Sequence, residues 1–290
     1  MGRNGQIGTR RADFLRGAAA AGSGLALAGL GVEGAQAAGK KDVTQEARRI
    51  LGVLLVLERL TTTLYYGGLT SYFVMRSADL AGPGGNPHNP GLPPGGNPQQ
   101  VRFLQAALDA EAKHAAALER VGAASPYARF YFPYDTLQRL GSPASRASFL
   151  GVVDMLETVC VGAYGAAAIA FIRLGRPDLA ETSARIMGVE SEHRTLGRVI
   201  GRITPANDHT LETAPFGAVD EAMREIAPFL TGRDYLFANG ASAATRIATM
   251  PASGEVARVV GAHGTRLVPS FALPLAPKRG RRRAPIKGGH

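Results

Sequence analysis

The chain has 290 residues, of which 45% are apolar and 19% charged, a composition that excludes wholesale disorder and allows one large core. Its formal charge of +10 is unevenly spread: residues 1–37 carry +2 and residues 278–290 carry +6, so residues 38–277 carry only +2. The single cysteine, Cys160, excludes an intramolecular disulfide and reads as a small buried apolar residue.

Residues 1–37 read as an export signal. Arg10, Arg11 and Arg16 give a basic start, residues 17–32 a mildly apolar stretch, and Ala35-Gln-Ala37 a small-residue cleavage site. The apolar stretch is too short and too rich in glycine for a strong membrane span. Thr9-Arg-Arg-Ala-Asp-Phe-Leu-Arg16 resembles a twin-arginine signal, with one extra residue between the arginine pair and Phe14.

A first helix is expected from about Val43 to Tyr66, stopping at Gly67-Gly68, with a short continuation over Thr70 to Leu80. Residues 81–98 hold Pro83, Pro87, Pro90, Pro93, Pro94 and Pro98 among Gly and Asn, which excludes regular helix or a central strand and leaves an ordered cover or a long flexible loop. His88 within it reads as a surface residue. A second helix spans about Gln99 to Val121. Residues 122–141, with Tyr127, Phe130, Tyr131, Phe132 and Tyr134, read as a hydrophobic plug over the helices.

Ser142-Pro143 has the pattern of an N-cap followed by proline at the first helical position, so a third helix is expected from there to Leu174, stopping at Gly175. Pro177-Asp178 opens a fourth, which continues to about Ile203. After Thr204-Pro205 the pattern weakens. Ala218 to Leu230 reads as a fifth amphipathic helix, Ser253 to Ala262 is less clearly structured, and no strand alternation of useful length is evident. The expected fold class is all-α, a four-helix bundle with a long Pro/Gly-rich loop and an additional C-terminal helical extension. Its expected divisions are a signal over 1–37, the bundle and following helix over 38–232, an extension over 233–277 and a basic, disordered tail over 278–290.

The chemistry lies on the four helices. Glu111-Ala-Lys-His114 and Glu190-Ser-Glu-His193 each place a Glu three residues before a His, about 300° of helical rotation, so both side chains project from one side. Each pair is preceded by a helix with one Glu in an apolar run: Glu58 after Ile50-Leu-Gly-Val-Leu-Leu-Val-Leu57, and Glu157 after Val152-Val-Asp-Met-Leu156. The order is one helix pair used twice. Tyr65 and Tyr164 each follow their Glu by seven residues, almost two turns, which puts each Tyr on its Glu's stripe. Unpaired carboxylates in such helices would cost several kcal/mol or take up a proton. Two divalent cations balance four carboxylates. Glu58, Glu111, His114, Glu157, Glu190 and His193 are thus the ligand set of a dinuclear metal site in a four-helix bundle, with Tyr65 and Tyr164 behind them; Glu192 and Asp154 turn to other faces.

Through these positions, and through Pro205-Ala-Asn-Asp208, Val219-Asp-Glu-Ala222 and Pro228-Phe-Leu-Thr-Gly232, the chain resembles the ferritin-like family from about Val43 to Gly232. The resemblance points to its exported bacterial branch, which includes the desiccation-related proteins. It implies two divalent metal ions, iron or manganese, in a non-haem dinuclear centre. The family's architecture hosts iron-oxidising stores, oxygenases and peroxide-decomposing manganese enzymes, so fold does not specify reaction.

Two functions are compatible with these residues. In one, the protein is a dinuclear-metal oxidoreductase of ferroxidase, oxidase or manganese-catalase-like type, acting on oxygen, peroxide or Fe(II) in stress protection. In the other it is an envelope-associated structural or stress protein whose bundle performs no turnover. Iron storage needs a closed shell of subunits, which the proline-rich insertion and C-terminal extension disfavour. The expected location is outside the cytoplasm by the twin-arginine route, which carries folded proteins and lets metal be loaded first. The basic tail is suited to polyanions of the cell envelope, without specific nucleic-acid recognition. A homo-oligomer is compatible with the sequence.

Overall fold

The computed structural model describes residues 36–70, 98–137, 139–141, 143–144, 148–203, 205–208, 212–232 and 245–261, with the side chains of the first helix described from Thr44 onward. Residues 1–42 and 43–290 form separate compact units, and every side chain discussed below belongs to the second. The body of the signal, the proline-rich segment with His88, the short helix after Thr70, Ser142 and the basic tail lie outside the described residues.

Four long helices make the bundle: α1 (Gln36–Thr70), α2 (Pro98–Arg120), α3 (Phe149–Arg173) and α4 (Pro177–Ile200). Three shorter ones follow, α5 (Val219–Glu225), α6 (Ala227–Thr231) and α7 (Ser253–Val260), giving seven α-helices among the described residues. The all-α expectation therefore holds. Residues 44–70 and α3 are long and apolar enough, by length and composition, to cross a membrane. Here they are mostly buried, their Leu54, Leu57, Leu64, Phe149, Leu156 and Phe171 side chains forming much of the core.

The first helix does not stop at Gly67-Gly68; it continues to Thr70. Glycine serves close packing at this point instead of termination, because a Cβ on Gly68 would lie within 2.3 Å of the Phe149 ring. By contrast, Gly175, with φ of +66°, does end α3 and allows the tight turn into α4.

The start of α3 also differs from expectation. Its N-cap is Ser148, whose Oγ accepts from the Gly151 amide at 3.3 Å. Pro143 lies in a turn before it. The Ser-Pro signal is overridden because the chain folds back and supplies acceptors for the first free amides: Phe149 donates to Arg139 O and Leu150 to Leu140 O, both at 3.0 Å.

Two strands were not expected and are present. β1 (Arg129–Pro133) pairs antiparallel with β2 (Thr245–Thr249), with Tyr131 opposite Ile247. The aromatic connector is thus a plug built as a strand: Phe130 and Phe132 are buried, and Phe132 meets Phe229 of α6 edge-on at 5.6 Å. Its partner is more than a hundred residues away, so local alternation alone gives a five-residue signal too short to read.

The expected fifth helix is two, α5 and α6, parted at Ile226. Pro228 has no amide to continue the hydrogen-bond ladder, and Gly232, at φ +68°, closes the second piece. The weakly patterned region after Ser253 is a helix, α7, because Glu255 accepts from the Ala252 amide at 2.7 Å and Val256, Val259 and Val260 are buried. It packs on α2, where Gln105 Nε2 donates to Val259 O at 2.8 Å.

Candidate metal centre

Each helix brings one part of the site. Glu58 comes from α1, Glu111 and His114 from α2, Glu157 from α3, and Glu190 and His193 from α4; all six are buried in the bundle. The three-residue spacing turns each Glu and its His inward together, as the sequence requires. The structure assembles them into two overlapping groups: Glu58, Glu111, His114 and Glu190, and Glu111, Glu157, Glu190 and His193, with ligand atoms in each group within 4.8 Å of one another. Glu111 and Glu190 belong to both. This is the arrangement in which two central carboxylates serve two positions and each position has its own outer Glu and His.

Distances connect the groups. His114 Nδ1 lies 3.0 Å from Glu190 Oε1 and 3.4 Å from Glu58 Oε2. His193 Nδ1 lies 2.6 Å from Glu111 Oε1, 3.4 Å from Glu190 Oε2 and 4.0 Å from Glu157 Oε1. Close as they are, these pairs lack hydrogen-bond angles, so Glu58 Oε2, Glu111 Oε1, His114 Nδ1, Glu157 Oε2, both Glu190 oxygens and His193 Nδ1 are buried without hydrogen-bond partners. Seven such atoms around one centre would be costly in a finished core. Two divalent cations fit them: oxygen and imidazole donors suit iron or manganese, and four carboxylates match the charge.

The electrostatics agree. Burial, then the negative charges of Glu190 and Glu111, push Glu58 well above the ordinary carboxyl range. Glu157 is raised in the same way by burial, Glu111 and Glu190. Burial depresses His114, but Glu58 and Glu190 outweigh it and lift the imidazole to about 10. His193 is likewise raised, by Glu111 and Glu190 against burial. For Glu190 burial favours the neutral acid, yet the two imidazoles prevail and hold it below the usual range. Without metal, protons take the place of cations, so metal binding must release them.

The two tyrosines support the outer carboxylates, each across the bundle. Tyr65 OH on α1 donates to Glu157 Oε1 on α3 at 2.6 Å, and Tyr164 OH on α3 donates to Glu58 Oε1 on α1. Neither serves the Glu seven residues before it. Seven residues place a Tyr on its Glu's stripe but almost two turns away, too far to touch it, while the facing helix is within reach. Burial, followed by the carboxylate each one meets, raises both phenols well above their ordinary value, so they remain donors. Tyr65 also packs edge-on to His193 at 6.0 Å. Replacing Tyr65 by Phe is expected to leave Glu157 Oε1 unpartnered, costing the metal-free protein about 1–3 kcal/mol and metal affinity about 10–100-fold. Urea unfolding and a metal titration measure the two effects.

Two features were not read from the sequence. Thr61 Oγ1 donates to Glu111 Oε2 at 2.6 Å; in a Thr-Thr-Thr run inside a helix its only local signal is back-bonding to the preceding turn. Arg194, next to His193 and buried, forks onto Asp208 at 3.0 and 3.1 Å and donates to Thr158 at 2.9 Å. Arg198 joins Asp154 and Asp208 at 3.3 and 3.2 Å. This charge-balanced network ties α3, α4 and the Pro205–Asp208 segment together beside the site, and accounts for Asp154 facing away from the metal ligands. Glu192 is exposed. Cys160 is buried and free.

A profile of the ferritin-like domain matches residues 46–200, the stretch that contains all six side chains. Comparisons with curated proteins and with solved structures find no match. With more than half of its length in that match and the paired Glu and Glu-x-x-His helices meeting at one buried centre, this chain belongs to the ferritin-like domain family.

Proposed function

We propose that the protein is an exported ferritin-like protein, of the branch that includes the desiccation-related proteins, which holds two iron or manganese ions and uses them for oxidoreductase chemistry on oxygen, peroxide or Fe(II) in stress protection. The observation that supports this most is the sharing of Glu111 and Glu190 between two four-residue groups. Two adjoining positions with common carboxylates suit paired redox change, which a site serving stability alone does not require.

Once bound, the metal pair supplies the electrons and the open coordination positions for a small oxidant. The protein's own residues do the rest. Glu58 with His114 and Glu157 with His193 would hold one ion each beside the shared carboxylates, the imidazoles as neutral nitrogen ligands, while Tyr65 and Tyr164 donate to the outer carboxylates and retain their protons. The six ligands are themselves buried, from 0 to 6% exposed, so the bundle limits water around the centre. The arginine pair and Ala35-Gln-Ala37 support export, and residues 278–290, at +6, support contact with envelope polyanions.

Elemental analysis of the full chain as isolated, before metal is added, tests the reading. About two iron or manganese ions per chain, with consumption of peroxide or Fe(II), is the expected result. Stoichiometric binding without turnover of either favours the structural alternative, and a protein that takes up neither metal sinks both.

A further inference from the structure

We infer that Arg194 is a positioning residue for the Glu157–His193 half of the centre: by its bond to Thr158 it locks α4 to α3 beside these two ligands and sets how they converge. The inference rests on the dinuclear reading above and adds a residue that lies outside both groups of ligands.

Thr158 directly follows Glu157, and Arg194 directly follows His193. Successive residues of a helix stand about 100° apart in rotation and only ~1.5 Å apart along the axis. A bond between Thr158 and Arg194 therefore joins the two helices at the level of the two ligands. Arg194 Nε donates to Thr158 Oγ1 at 2.9 Å, and Thr158 Oγ1 donates in turn to Asp154 O at 2.6 Å, which commits its one proton and fixes its direction. The other two nitrogens of Arg194 donate to the two oxygens of Asp208, at 3.1 and 3.0 Å. With all three nitrogens engaged, the guanidinium plane has no freedom to turn. One turn further along α4, a Cβ on Gly197 would lie 3.0 Å from Val153 Cγ1. The helices are thus already in contact there, so α4 cannot approach α3 without repacking, and the Arg194 bonds keep it from moving away.

The first helix pair uses a related device. Arg59 directly follows Glu58; its Nη2 donates to Glu119 on α2 at 2.8 Å, and its Nη1 to the carbonyls of Ser125 and Tyr127 at 2.9 and 3.1 Å. In each pair an arginine next to a ligand ties the two helices together and holds the segment that follows them. Only Arg194, however, bonds to the residue next to the other outer ligand of its own half. The residue after His114 is Ala115, whose side chain has no polar group, so the effect of Arg194 is confined to the Glu157–His193 half.

The test titrates Mn(II) into metal-free full chain with one position left at a time, reading free and bound ion by electron paramagnetic resonance. In His114→Ala, which keeps the Glu157–His193 group, adding Thr158→Val should weaken Mn(II) binding about tenfold and shift the zero-field splitting of the bound ion. In His193→Ala, which keeps the Glu58–His114 group, the same substitution should change affinity by less than about twofold. Thr158→Ser, which retains the acceptor, should restore both readings. Arg194→Lys keeps the charge but not the three directed bonds, so it should act as Thr158→Val does, and it decides the matter if Thr158→Val fails to fold by circular dichroism. If His114→Ala holds no Mn(II), the spectrum of two-ion wild type decides, since Thr158→Val must shift it and Thr158→Ser must not. Equal losses in the two backgrounds would make Arg194 a brace for the whole bundle and overturn the inference. So would affinity and spectrum left unchanged in the Glu157–His193 half, with the dinuclear reading intact in either case. Wild type that binds neither Mn(II) nor Fe(II) would overturn both.

Discussion

Chelation of the metal-loaded protein lowers its melting temperature by roughly 15–30 °C, measured by calorimetry or circular dichroism at pH 7. The size follows from linkage: each ion present at about a thousand times its dissociation constant stabilises the folded chain by about 4 kcal/mol, and a domain of this size shifts by about 2–4 °C per kcal/mol. Removing the ions also returns four carboxylates and two imidazoles to a buried centre in which protons alone supply the balancing charge. The metal-free protein should therefore be most sensitive to alkaline pH. His114, raised in the fold to about 10 from an ordinary value of 6.5, contributes stability that is complete below 6.5 and lost as pH rises toward 10. Glu58 and Glu157, also raised, act with the same sign, starting from the ordinary carboxyl value of 4.5. Glu190 has the opposite sign, but because its pKa is lowered its contribution is lost only in acid, below 4.5. Chelated protein should melt lower at pH 9.5 than at pH 7. A melting temperature that rises over this interval would contradict the buried charge arrangement.

His193→Ala leaves at most one metal ion per chain, and Glu111→Ala or Glu190→Ala leaves at most one and tends to none. The difference lies in membership: His193 belongs to one group of four, whereas Glu111 and Glu190 belong to both. Losing an imidazole spares the Glu58, Glu111, His114 and Glu190 group. Losing a shared carboxylate removes a donor from each position and one of the charges that balance two dications. Metal content by mass spectrometry, after removal of loosely bound ions, separates these outcomes. Full occupancy in both Glu111→Ala and His193→Ala would sink the site. The variants should still fold, since the core around them is carried by residues such as Leu54, Leu57, Phe149 and Leu156, all fully buried.

Much of this was legible along the chain because helices and their inward faces are local properties. The apolar runs before Glu58 and Glu157 predict buried helices, and Glu-x-x-His predicts paired projection, from rotation per residue alone. Termini were less legible. Ser142-Pro143 and Ser148 are both credible caps, and the choice fell to Ser148 because Arg139 and Leu140 return to accept the first amides of α3. Gly67-Gly68 carries the composition of a stop, yet its use is set by the Phe149 ring that approaches from another helix. The β1–β2 ribbon escaped for the same reason, each strand being five residues long with its partner far away in sequence.

By itself, the amino-acid sequence determined the ligand types, their spacing and the repetition of one helix pair, since all three depend only on residue order and helical pitch. Tertiary structure alone decided which groups meet: that Glu111 and Glu190 stand between the two positions, that Tyr65 supports Glu157 and Tyr164 supports Glu58, and that Thr61 reaches Glu111. Those contacts join residues 50, 92 and 106 positions apart on different helices. Their pairing is set by how the helices pack, which no local spacing encodes.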